Sequence, residues 1–173
     1  KKIGELRSLY ETLLNSCAWI RFNISAATEE SYKLVHQRPW LNKVITNAEN
    51  LINTRERKGL THFSGKPCTL GFQMVVTNKN MEDVVPLANL AKDIGVDYLV
   101  VKACSDTPEQ SLEAPTHEYI NQKNIFEDAE KISSERTKII IRWEKLGNLG
   151  NKIYPKCFGT KFIIAISGNG NVF

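Results

Sequence analysis

The chain has 173 residues, with 42% hydrophobic and 24% charged residues and a formal net charge of +4, which is the profile of one soluble globular domain. No apolar run approaches the roughly 18 residues that span a membrane, and charges interrupt the amino-terminal KKIGELRSLYETLL, so it is no signal peptide and the chain is expected to have no membrane partner. The mild positive balance permits an anionic ligand without calling for nucleic acid, and four scattered cysteines without CxxC pairing point to reduced thiols in the cytoplasm.

Ile3, Leu6, Tyr10 and Leu13 recur at helical spacing and predict an opening helix. Residues 18–25 (AWIRFNIS) read as a strand. Leu41, Val44, Ile45, Ala48, Leu51 and Ile52 form a helical stripe, with Pro39 suited to its first turn and Gly59 to its stop. A second strand is expected at 70–77. Asn80 is expected to cap a helix carrying Val84, Leu87, Ala88, Ala91 and Ile94 and ended by Gly95. Pro86 lies inside that helix and should kink it. Further strands are expected at 97–104 and 138–145, with a looser helix around 117–132 between them. The tail reads as a strand and a hairpin turn at Asn169-Gly170 that breaks off.

Strands separated by helices of this length predict an α/β fold with a parallel sheet, either open or part of a (β/α) barrel. Four strands cannot close a barrel, so a barrel requires further units. In each strand one face is apolar and the other is not. Arg21, Asn23 and Ser25 share the second face in the first strand, Gln73 and Thr77 in the second, Lys102 and Cys104 in the third, Arg142 and Glu144 in the fourth. A packed barrel fills its interior with branched aliphatic side chains. A lumen lined by polar and charged groups must supply them with partners, and a wide barrel holding a polar ligand does so.

The segment WIRFNISAATEESYKLVHQ resembles the fourth-strand region of radical S-adenosylmethionine (radical SAM) enzymes, where a Ser-containing strand end leads into a short helix of the T-x-E-x-Y-x-x-x-H kind. LGFQMVVTNKNMEDVVPLANLAKDIGVDYLVVKACSD resembles the following strand–helix–strand. Residues 156–173 resemble the opening of the SPASM extension, which begins with a Cys, a spacer, a Gly and then a second Cys; here twelve residues separate Cys157 from Gly170. The resemblance implies that residues 1–155 are the later part of a radical SAM barrel and that the chain is an internal piece. The CxxxCxxC run that binds the [4Fe–4S] cluster is not in this sequence. It further implies S-adenosylmethionine as cofactor, an electron donor such as flavodoxin or ferredoxin, and a peptide, protein or small-molecule substrate.

Under that resemblance Ser25, at the carboxyl end of its strand, contacts the cofactor; otherwise it caps a turn. Asn23 and Arg21 lie deeper on the same face. Arg21 either holds a carboxylate or pairs with an acid such as Glu144. Thr77 and Asn78 are cofactor contacts or a helix cap. Lys102 touches substrate or cofactor, or snorkels. Cys157 is a ligand of an auxiliary iron–sulfur cluster. Cys104 reads as a small buried hydrophobe, His36 and His117 as surface residues, and the cations at 55–58 as complements to a helix dipole. Two other readings stay open: an aldolase-like or phosphate-binding barrel with Lys102 as a Schiff-base lysine, and a cluster-free binding module.

Overall fold

The computed structural model describes residues 3–105, 114–147 and 156. Helix α1 (Ile3–Ser16) leads into strand β1 (Trp19–Asn23), followed by α2 (Glu29–His36), α3 (Leu41–Lys58) and β2 (Thr69–Val76). A short 3-10 turn (Met81–Asp83) precedes α4 (Val84–Ile94) and β3 (Tyr98–Ala103). Helices α5 (Thr116–Asn121) and α6 (Lys123–Lys131), strand β4 (Lys138–Ile141) and α7 (Trp143–Gly147) complete the described chain. The tail hairpin and Cys157 lie outside the described residues. No helix among the described residues is long and apolar enough to cross a membrane.

Local signals explain most boundaries. Thr28 and Ser31 form a capping box that starts α2, with Glu29 and Glu30 at the positive end of its dipole. Gly59 ends α3 and Gly95 ends α4, each left-handed and each donating its N–H back to the last turn.

The four strands are all parallel and stand in sequence order, β1-β2-β3-β4. Crossovers of one hand along an unreversed order put every helix on the same face. Burial agrees. Phe72, Met74, Val76, Leu99, Val101, Ile139 and Ile141 are buried on one face, together with Leu87, Ala91, Phe126 and Ala129 of the helices. On the other face Trp19, Arg21, Asn23, Lys138 and Ile140 are exposed.

Arg55 braces the amino ends of the strands. Its guanidinium donates to both oxygens of Asp97 (2.5 and 2.9 Å) and to the Cys68 carbonyl (2.7 Å), while Asp97 also accepts the Leu70 N–H (2.6 Å). Arg55 thus does more than complement a helix dipole: it ties α3 to β2 and to the entry of β3.

Three local expectations are corrected. Asn80 makes no side-chain cap. Pro86 is the third residue of α4, where its missing N–H would have had no partner inside the helix, so it need not kink it. The fourth strand stops at Ile141. The chain then turns into α7, which buries Leu146 and sets the Trp143 ring edge-on to Phe126, its indole N–H pointing at the Glu130 carboxylate.

Candidate functional site

Parallel pairing aligns side chains across the sheet in rows. Arg21 pairs with Gly71, Gly71 with Tyr98 and Tyr98 with Lys138. One step towards the carboxyl ends, Asn23, Gln73, Val100 and Ile140 form a second row; beyond it Val75 pairs with Lys102. Paired residues of neighbouring strands share a face. Arg21, Asn23, Gln73 and Lys102 therefore stand together on the face that the helices leave open, as their parity predicts.

The floor of this face is built by two residues that parity alone did not single out. A Cβ on Gly71 would lie 2.2 Å from the Tyr98 ring, so the ring rests directly on the Gly71 backbone. Arg21 holds its guanidinium 5.2 Å from the Trp19 ring centroid, a cation–π distance. Burial pushes the Tyr98 phenol up, and Arg21 opposes that shift. The sequence signal was the glycine itself: inside an apolar strand it marks a close approach. Glu144 is not the partner of Arg21. It takes the Arg142 Nε at 2.5 Å, because the chain has already turned into α7.

The carboxyl end of β1 is locked rather than open. Ser25 is 2% exposed and left-handed (φ 43°). Its hydroxyl donates to Asn23 Oδ1 (3.1 Å) and accepts the Val75 N–H (3.0 Å), extending the β1–β2 seam. Asn80 closes the same corner. Its amide donates to the Ser25 and Val75 carbonyls (2.7 and 3.0 Å), and its Oδ1 accepts from the Thr77 N–H and hydroxyl (2.7 and 3.1 Å). Thr77 is thus engaged by Asn80 instead of being freed by a capping Asn80. Asn78 is exposed beside it.

Lys102 is half-buried at the carboxyl end of β3. Burial pushes its ammonium below the ordinary range, and Lys145, Arg21 and Arg142 push the same way.

Cys104 is half-buried, its thiol pointing to the Ser105 carbonyl at 3.8 Å. His117 is exposed, but His36 is not a plain surface residue. It stacks on Tyr32 (4.2 Å between centroids), and its Nε2 lies 2.9 Å from the Ile24 carbonyl. Among the described residues no three His, Cys, Asp or Glu side chains come together as a metal site. Cys17 and Cys68 lie before β1 and β2, and Cys104 follows β3, at the opposite ends of their strands.

No family model, no curated protein and no solved structure matches the chain.

Proposed function

We propose that the uncovered face is the wall of a ligand site and that the chain is the later part of a radical SAM barrel, continued by a SPASM-like segment at 156–173. The observation that carries this reading is the face itself. Four polar residues from three strands meet opposite the helical layer, in a sheet whose unreversed strand order is that of a (β/α) barrel. Ligands of such folds sit at the carboxyl ends of the strands.

The polar groups there suit S-adenosylmethionine. Asn23, Gln73 and the exposed Asn78 offer amide donors and acceptors to its ribose and amino-acid parts, and Arg21 and Lys102 offer positive charge to its carboxylate. Ser25 and Thr77 act one step back, by fixing Asn23 and the strand ends. The described residues hold no cluster ligand set, so the thiolates of the proposed [4Fe–4S] cluster come from elsewhere, with Cys157 assigned to an auxiliary cluster. When bound, cofactor and reduced cluster supply a 5′-deoxyadenosyl radical for hydrogen abstraction.

The test is anaerobic reconstitution of the natural full-length protein with iron and sulfide, followed by reduction in the presence of S-adenosylmethionine. Release of 5′-deoxyadenosine is expected. A fully loaded cluster that releases none would end this reading.

One observation favours a second reading. A lysine whose ammonium is disfavoured by burial and neighbouring cations is suited to Schiff-base chemistry. Borohydride trapping with a carbonyl substrate should then label Lys102, and an unlabelled Lys102 discards it.

A further inference from the structure

Two cysteines stand side by side at the entry to the sheet. The Thr69 N–H donates to the Ala18 carbonyl at 3.0 Å, one step before the Trp19–Thr69 pair that opens the β1–β2 ladder. Cys17 and Cys68 are the residues immediately before that acceptor and that donor. Neighbouring strands run about 4.8 Å apart, and a disulfide joins Cα atoms about 4.4–6.8 Å apart. The rung therefore has the spacing that a disulfide spans. Both side chains meet one core: Cys68 is fully buried in it, and Cys17 packs against it half-buried. Burial pushes the Cys68 thiol up, and Cys17 adds to that shift, as a second thiol within reach does. Cys68 is held in place by Arg55, which donates to its carbonyl at 2.7 Å. Its thiol makes only a long contact to the Thr69 carbonyl, at 3.9 Å. Cys17 sits on the last turn of α1, its N–H bonded to the Leu13 carbonyl at 2.9 Å. Cys104 lies beyond the other end of β3, a strand of 6 residues and so about 20 Å long.

We propose that Cys17 and Cys68 form a reversible redox modification site, in which Cys17 takes up a disulfide oxidant such as glutathione disulfide and Cys68 resolves it to a Cys17–Cys68 disulfide. Exposure sets the roles. Cys17 is half-buried and meets the oxidant first, whereas Cys68 is 0% exposed and meets only Cys17. The Cys17 thiol gives its proton to solvent, and its thiolate attacks one sulfur of glutathione disulfide. The S–S bond breaks and one glutathione thiolate leaves. Cys68 then loses its proton and attacks Cys17 Sγ, and the second glutathione thiolate leaves. The two leaving thiolates take up the two protons. Two protein thiols are thus oxidised by two electrons, and glutathione disulfide is reduced to two molecules of glutathione. The new bond ties the end of α1 to the entry of β2 across β1. Reversible pairs are the form that disulfides take in reducing compartments. The proposal does not depend on reading the uncovered face as a ligand wall.

The experiment is oxidation of the intact, folded protein with glutathione disulfide, followed by alkylation, trypsin digestion and mass spectrometry. A linked pair of peptides, residues 8–21 and 59–79, is expected, and dithiothreitol should separate them. Cys68→Ser should stop at a glutathione adduct on Cys17, while Cys17→Ser should leave Cys68 unmodified. Cys104→Ser should leave the link intact. The linked protein should melt several degrees higher than the reduced one, because the bond restricts the unfolded chain. Thermal melts certify each fold, and Cys68→Ala, which suits the apolar site, replaces Cys68→Ser should that variant not fold. The proposal is overturned if the folded protein forms no 17–68 link, or links Cys104 to either cysteine as readily. It is also overturned if Cys68 takes up glutathione in Cys17→Ser, or if the linked form melts no higher than the reduced one. Failure of the radical SAM test leaves these expectations unchanged.

Discussion

Two residues carry more of the site than their chemistry suggests. Gly71 exists so that Tyr98 can lie on it: a methyl group there meets ring carbons at 2.2 to 2.5 Å. Gly71→Ala should therefore destabilise by about 1–3 kcal/mol, the scale of overpacking. Gly71→Ala combined with Tyr98→Ala should cost less than the sum of the two single changes in urea denaturation, because the clash is gone. Additive losses would show that the ring does not rest on the glycine. Asn80 is the second case. It is 2% exposed and joins β1 to β2 through the Ser25 and Val75 carbonyls. Asn80→Ala leaves these and the Thr77 N–H unmatched, and should cost about 2–4 kcal/mol. Loss below half a kcal/mol in the same assay would mean that water replaces the amide.

At the scale of elements, position within a helix decides what a proline costs. Pro86 stands in the first turn of α4 and is exposed. Pro86→Ala should thus change stability by no more than about 0.5 kcal/mol. Ala91→Pro, in the helix interior and fully buried, should cost about 3 kcal/mol or more. Similar melting shifts for both would place Pro86 in the helix interior after all. The Arg55–Asp97 brace ties α3 to the sheet. Asp97→Asn leaves a half-buried guanidinium without its counter-charge, and should cost about 2–3 kcal/mol. Hydrogen exchange should quicken in the last turn of α3 before it does in α4. Uniform quickening would show that the brace is not local.

Over the whole molecule, four buried or half-buried groups shape the alkaline response. Burial raises the Cys68 thiol above its ordinary 9.0, and raises the Tyr32 and Tyr98 phenols above 10.0. The folded protein therefore holds these protons more tightly than the unfolded chain. Their contribution is fully present below pH 9.0 and is lost as pH rises through the folded values. Lys102 has the opposite sign. Its folded value lies below 10.5, so the unfolded chain binds more protons in that window and stability rises with pH there. Cys68, Tyr32 and Tyr98 therefore predict a falling contribution from about pH 9 upward, and Lys102 a rising one. Tyr98→Phe should flatten the fall, and Lys102→Gln should steepen it. A denaturation series whose pH dependence neither Tyr98→Phe nor Lys102→Gln alters would contradict these shifts.

The sequence by itself determined the architecture and the polarity of the sheet. Both are encoded locally: apolar spacing separates helix from strand, and alternation along a strand assigns each residue a face. Arg21, Asn23, Gln73 and Lys102 could be placed on one face without knowing any neighbour. The partners of those residues were decided only by tertiary structure. Val75 meets Ser25 across 50 positions, Asn80 meets it across 55, and Arg55 meets Asp97 across 42. Such pairs depend on strand register and on how each helix docks, which no short window contains. The same holds for Tyr98 over Gly71, and for the fourth strand. There the pattern of 138–145 allowed an extended chain, but burying Leu146 and packing Trp143 against Phe126 favoured a turn into α7. Local preference was weak at that point, and contact with α6 outweighed it.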